Sequence, residues 1–149
     1  QPCSNIADVF ADGGFMCSFN PHCTQLAAGS QDGTLAIFDL RNTNHPLCRI
    51  KSKQHDNAHG AIRSLKYAPN PALDLLIFAE HTGYWHILDT RNFSEMETIQ
   101  VPGENDQTHI VGMDFSCDSS AVFVGTPQKI VRYEIDTIKR RKCGCGSLM

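Results

Sequence analysis

Apolar residues along this chain fall in short bursts, alternating with polar ones or running together over four to six positions, and each burst stops at turn-forming residues. That pattern belongs to strands, because successive side chains of a strand point to opposite faces. No stretch of useful length carries the three-and-four spacing of an amphipathic helix. The pattern predicts strands near 15–19, 25–30, 34–39 and 47–51, then 62–67, 75–80, 84–89 and 96–100, and finally 110–115, 121–125 and 129–135. The connectors agree: Asn20-Pro21, Pro69-Asn70-Pro71 and Cys117-Asp118-Ser119-Ser120 form one class, and Asp32-Gly33 and Thr82-Gly83 mark tight hairpins.

These elements repeat. Setting "LAAGSQDGTLAIFDLR" (26–41) over "LIFAEHTGYWHILDTR" (76–91) matches Leu26 with Leu76, Gly33 with Gly83, Ile37 with Ile87, Asp39 with Asp89 and Arg41 with Arg91, each at an offset of 50. Ahead of them, Phe19, Tyr67 and Phe115 stand 48 apart. A third copy, "AVFVGTPQKIVRYEID" (121–136), fits when Tyr133-Glu134 is set against Phe38-Asp39 and the turn is shortened by one residue. The expected architecture is all-β, with about three antiparallel four-stranded units over 14–51, 62–100 and 110–136, joined by linkers near 52–60 and 102–109. The third unit lacks a fourth strand after Asp136, and residues 6–10 are the candidate to supply it. Residues 137–149, basic and then Cys/Gly-rich, read as a disordered tail.

A unit with a small-residue strand, a glycine turn and a hydrophobic-hydrophobic-Asp close resembles the WD40 repeat, whose units form propeller blades. The resemblance covers about residues 14–136, with "FNPH", "YAPN" and "FSCD" similar to the family's Phe-Ser-Pro-Asp corner and "IFD" and "ILD" similar to its Trp-Asp ending. Phe38, Leu88 and Tyr133 stand where the family usually has Trp, and His59 and His109 are irregularly placed for its Gly-His pair. Ser30 and Asp32 match part of the family's His-Ser-Asp-Trp network. The stretches 62–93 and 112–141 are similar, more specifically, to a fungal group of WD-repeat proteins carrying a short domain of unknown function.

The resemblance implies an incomplete propeller that works as a non-enzymatic protein-interaction scaffold, completed by missing blades or by self-association. Ser30, Asp32, Gly33, Phe38, Gly83, Leu88 and Tyr133 take structural blade positions. Some WD40 proteins are substrate receptors of cullin-RING ubiquitin ligases, and the box tied to their adaptor contact ends in Trp-Asp-x-Arg after small residues and an Asp. Residues 26–41 resemble that box with Phe38 for Trp. The second copy keeps Asp89 and Arg91 but has Phe78, Ala79 and Thr82 in place of the small pair and the turn Asp. Asp39, Arg41, Asp89 and Arg91 are therefore the candidate interaction residues, because a guanidinium meets a carboxylate bidentately and a nearby Asp can orient it. The competing reading is structural: Asp-x-Arg also closes repeats by pairing within the blade.

Composition narrows the remaining classes. The chain has 149 residues, 41% apolar and 19% charged, in the range of ordinary globular domains. A formal charge of −3 offers no basic field for nucleic acid. The longest clean apolar run, 75–79, is far short of the roughly 20 residues of a membrane helix. Gln1 is followed by no signal-like segment, and the chain reads as a fragment or processed piece. Its seven cysteines mostly fall in strand-like runs, as buried thiols of a reducing compartment do, so cytoplasm or nucleus is expected.

Enzymatic motifs are absent: no Gly-x-Ser-x-Gly, phosphate-cradling glycine loop or His-Glu-x-x-His occurs, and no enzyme activity or cofactor is expected. Cys143-Gly144-Cys145 lacks the two-residue spacer of a zinc pair, and His55 and His59 lie in a linker without a neighbouring cysteine pair, so no metal is expected. A metal-dependent enzyme is the alternative from another class. Lys139-Arg140-Arg141-Lys142 reads as a solvated tail, with a nuclear signal or a phosphate contact as the functional alternatives, and Trp85 as core between blades rather than a ligand platform.

Overall fold

The computed structural model describes residues 9–52, 60–102 and 108–138. They form eleven antiparallel strands in three sheets. The first holds β1 (Gly14–Phe19), β2 (Gln25–Ser30), β3 (Thr34–Asp39) and β4 (Cys48–Lys51) in that order. The second holds β5 (Ile62–Tyr67), β6 (Leu75–Glu80), β7 (Tyr84–Asp89) and β8 (Met96–Gln100). The third has three strands, β9 (Gly112–Phe115), β10 (Ala121–Gly125) and β11 (Ile130–Glu134), with β10 in the middle. The arrangement is that of consecutive blades of an incomplete propeller.

The turn residues act as their chemistry requires. Gly33 and Gly83 adopt φ of 74° and 57°, the left-handed region that glycine enters without a side-chain clash. The third turn needs no glycine, since the Thr126 N–H donates to the Lys129 carbonyl and the Lys129 N–H donates back to Thr126 Oγ1. Its register is one residue tighter, as the sequence alignment predicts: Gly125 pairs Ile130, where Gly29 pairs Leu35 and Ala79 pairs Trp85.

Period two sorts the strands into faces, and the faces pack sheet on sheet. Ala27, Leu35 and Ile37 of the first sheet meet Leu65, Leu76, Phe78 and Leu88 of the second. Leu75, Ile77, Trp85 and Ile87, on the second sheet's other face, meet Met113, Phe115, Val122 and Val124 of the third. β6 is buried along its whole length, which is why it reads as an unbroken apolar run closed by one charge. Trp85 lies fully inside the second core, with Tyr133 tilted against it at 5.0 Å between ring centroids. A Cβ on Gly29 would stand 2.5 Å from Ile62 Cγ2, so the small residue there lets β2 approach β5.

The two ends of this stack differ. On the first sheet, Val9 and Phe10 pack against Ala36 and Phe38, and the Val9 carbonyl accepts from Arg49 Nη2 at 2.5 Å. On the third sheet, Phe123, Ile130 and Val111 are exposed. Of the segment 6–10 expected to complete the third sheet, residues 6–8 lie outside the described residues, while Val9 and Phe10 are not in a strand and sit on the first sheet. The 137–149 tail lies outside them from residue 139 onward.

The cysteine reading needs correction. Of the four described cysteines, Cys17, Cys23 and Cys117 are exposed and Cys48 is half-buried. Cys17 lies in an outward-facing strand position and Cys23 and Cys117 in turns, so proximity to apolar runs did not imply burial.

Candidate functional site

Each of the first two sheets ends its third strand in the same corner. In the first, Asp39 Oδ1 accepts from the Arg41 N–H at 2.9 Å and from Arg41 Nε at 2.9 Å, and Asp39 Oδ2 accepts from Nη2 at 2.5 Å. In the second, Asp89 Oδ1 accepts from the Arg91 N–H at 2.9 Å and from Nε at 3.2 Å, and Oδ2 accepts from Nη2 at 2.9 Å. Sequence spacing alone explains this: an Asp at a strand end folds its carboxylate over the backbone two residues on, and a planar guanidinium at that residue closes the fork. The third copy has Glu134-Ile135-Asp136 here, without the arginine, and the corner is absent.

The two corners face one end of the molecule. The Leu40 N–H donates to the Thr24 carbonyl and the Thr90 N–H to the Asp74 carbonyl, which ties each corner to the first turn of its own sheet. Those turns meet across a shallow groove lined by Asn20, Pro21 and His22 on one side and Asn70, Pro71 and Thr90 on the other. Their burial differs. The Arg41 side chain is 84% exposed over an Asp39 that is 18% exposed, whereas Arg91 is 37% exposed over an Asp89 that is fully buried. The hydrogen bonds from Arg41 hold the Asp39 carboxyl down to about 2 and raise the Arg41 guanidinium in turn.

Ser30, Asp32 and Gly33 come together at the opposite end of β2. Asp32 accepts from the Ser30 hydroxyl, from the Thr34 N–H at 2.9 Å and from the Ala11 N–H at 3.1 Å. Burial pushes its carboxyl up, but the hydrogen bonds from Ser30, Thr34 and Ala11 together hold it well below the usual range. Phe38 and Leu88 are buried in the cores, and Tyr133 is half-buried against Trp85. Gly83 holds the second turn.

One constellation escaped the sequence reading. His86 is fully buried in β7, with Nε2 2.7 Å from Glu80 Oε1 and Nδ1 2.9 Å from Thr98 Oγ1, and Phe78 stacks on its ring at 4.5 Å. Glu80 occupies the position of Ser30, and Thr82 replaces Asp32. The second sheet thus carries its buried carboxylate on the strand instead of in the turn. A Cβ on Gly60 would collide with Glu80 Oε2, so the glycine makes room for that carboxylate. The available signal was a polar residue at an inward register position in each of two apolar strands. His81 and His109 also approach, with ring centroids 5.1 Å apart. Among the described residues no group of three or more His, Cys, Asp or Glu side chains is placed to hold a metal ion, and no helix is long and apolar enough to cross a membrane.

The chain is 35% identical over 100 residues to Uncharacterized protein YLR149C of Saccharomyces cerevisiae, covering 67% of this chain and 14% of that protein. It is 30% identical over 144 residues to Uncharacterized protein C4G3.03 of Schizosaccharomyces pombe, covering 92% of this chain and 41% of that protein. A shorter stretch of 69 residues is 36% identical to Restriction of telomere capping protein 1 of Debaryomyces hansenii, covering 46% of this chain and 5% of that protein. The chain therefore spans less than half the length of each of these relatives. Residues 60–101, which run from the glycine beneath Glu80 to the end of the second sheet, match the family described as Uncharacterised protein domain (DUF2415).

Proposed function

We propose that this chain is a non-enzymatic protein-interaction scaffold of WD40 type, and that it docks a protein partner through the end bearing the Asp39-Arg41 and Asp89-Arg91 corners. One observation carries the reading: the Arg41 guanidinium is 84% exposed yet already oriented by Asp39. A side chain held in its binding geometry loses less freedom on association, so it suits an interface better than a free arginine does. Partner residues of carboxylate or carbonyl character fit the remaining donor positions. With a formal charge of −3, the surface favours protein over nucleic acid. Cytoplasm or nucleus is the compartment proposed with it.

A second reading, substrate receptor of a cullin-RING ubiquitin ligase, draws on the same corner, since Asp39 and Arg41 stand at the close of the box-like stretch 26–41. The small residues ahead of it support that reading less, because Gly29 is required by the approach of Ile62. Capture of partners by wild-type and Arg41→Glu protein, read by mass spectrometry beside a melting curve, tests both. Loss of a partner at unchanged melting temperature is expected. A cullin-ligase adaptor among the lost partners supports the second reading. An unaltered partner set, or early unfolding of the variant without any partner, overturns docking through Arg41.

A further inference from the structure

His86 of β7 and Thr98 of β8 stand directly opposite each other, and Glu80 reaches the same ring from the end of β6. The Asp89 N–H donates to the Glu95 carbonyl and the Val101 N–H to that of Gly83. By the alternation of antiparallel ladders, His86 and Thr98 are therefore a non-hydrogen-bonded pair, whose side chains lie close together. Thr98 Oγ1 is accordingly 2.9 Å from His86 Nδ1, while Glu80 Oε1 is 2.7 Å from Nε2. A carboxylate only accepts, which assigns the ring proton to Nε2 and leaves the Nδ1 lone pair toward the Thr98 hydroxyl. Phe78, stacked on the ring, holds its orientation. His86 is fully buried and Glu80 nearly so, but Thr98 is exposed.

The fold does not demand this cluster. At the same register the first sheet pairs Ala36 with Arg49. Burying an imidazole and a carboxylate is costly, and the second sheet meets that cost with a line of hydrogen bonds that ends on a hydroxyl at the surface. A hydroxyl bonded to a histidine that a third group orients is the arrangement of an activated nucleophile.

We propose that Thr98 is a covalent modification site, acylated by an acyl thioester with His86 as the base and Glu80 as the group that orients it. Thr98 Oγ1 attacks the thioester carbonyl, its proton passes to His86 Nδ1, and the carbon–sulfur bond breaks with its electron pair on sulfur. Glu80 holds the imidazolium that forms. The acyl group ends on Thr98 as an oxygen ester, and the donor is released as a free thiol once thiolate and proton recombine. His86 has no exposed surface from which to protonate a departing amine. The donor is therefore one whose leaving group departs as an anion, a thioester and not an amide. This goes beyond the scaffold reading and lies apart from the Asp-x-Arg corners.

The probe is an acetyl thioester of cysteamine incubated with the full chain. Neutral hydroxylamine then clears acetyl groups from thiols, and peptide mass spectrometry reads those left on hydroxyls. Thr98 is expected to be acetylated about a hundredfold faster than the exposed Thr24 and Ser94, the low end for a positioned base. Glu80→Gln is expected to lose most of that advantage, because an amide no longer fixes the ring tautomer. Nitrogen-15 shifts of His86 in the unmodified chain are expected to show the Nε2–H tautomer. Labelling at Thr98 no faster than at Thr24 and Ser94, undiminished labelling in a folded Glu80→Gln chain, or an Nδ1–H ring overturns the proposal. If Glu80→Gln fails to fold by circular dichroism, the other two measurements decide. None of these readouts involves Arg41, so the scaffold reading stands or falls separately.

Discussion

The first and second sheets carry the same Asp-x-Arg corner with nearly the same hydrogen bonds, yet Asp89 is fully buried and Asp39 is not. The difference begins with the neighbours. Asp39 stands opposite the half-exposed Gln25, whereas Asp89 stands opposite the buried Leu75. The second sheet also lies between two others, while among the described residues the first has a short segment around Val9 on its far side. A local motif therefore sets the geometry of a pair, and its surroundings decide whether that pair is buried in the core or left exposed.

The largest expected effect tests that division directly. Asp89→Ala strands the Arg91 donors beside a buried corner and is expected to destabilise by about 3 kcal/mol, the low end for breaking a buried pair because Arg91 reaches solvent. Asp39→Ala is expected to leave the melting temperature near that of the wild type. Equal losses for the two variants in parallel denaturation curves break the comparison.

The Glu80 and Asp32 carboxylates sharpen it further. His86→Ala removes the partner of Glu80 inside the second sheet and is expected to cost about 1–3 kcal/mol. The equivalent first-sheet position already holds alanine, Ala36, with Asp32 satisfied in the turn. A His86→Ala chain that melts like the wild type removes the case for a strand-borne replacement of the turn network.

Glycines at equivalent positions give a smaller contrast. Gly29→Ala forces Ile62 to move, with an expected loss of about 1–3 kcal/mol for overpacking between sheets. Gly125→Ala places its Cβ 3.5 Å from Val111 Cγ2, an ordinary contact, and is expected to be neutral or to stabilise by about 0.4–1 kcal/mol through the unfolded chain. Urea melts of the two variants check the sign of each.

The smallest effect is a titration. The Asp39 carboxyl is lowered from 3.8 to about 2 in the folded chain by the Arg41 hydrogen bonds. Because the folded value is depressed, its contribution to stability is present above about pH 4 and is lost as pH falls through about 2. Carboxyl carbon shifts are expected to show a midpoint near 2 for Asp39, moving up toward the ordinary value in Arg41→Ala. A midpoint unchanged by that substitution dissolves the pairing.

The positions of all eleven strands could be read from the chain, because alternation, turn residues and the 48- and 50-residue offsets point the same way. The one-residue shortening of the third turn was legible for the same reason. Both Asp-x-Arg corners were legible as well, since they close within three residues of backbone. Cysteine burial was not: Cys17 sits on a strand but faces outward, and Cys23 and Cys117 fall in turns that no sheet covers. Nor was the Glu80–His86–Thr98 cluster, whose members sit on three strands and come together only through strand register.

By itself, then, the sequence determined the strands, the hairpins, the repeat and the local fork of each Asp on its Arg, all set by contacts near in the chain. Only the tertiary structure decided that Gly29 answers Ile62, that His86 meets a carboxylate in the buried interior, and that Asp89 is buried where Asp39 is not. Burial depends on which sheet stacks on which, and that stacking joins residues far apart in the chain.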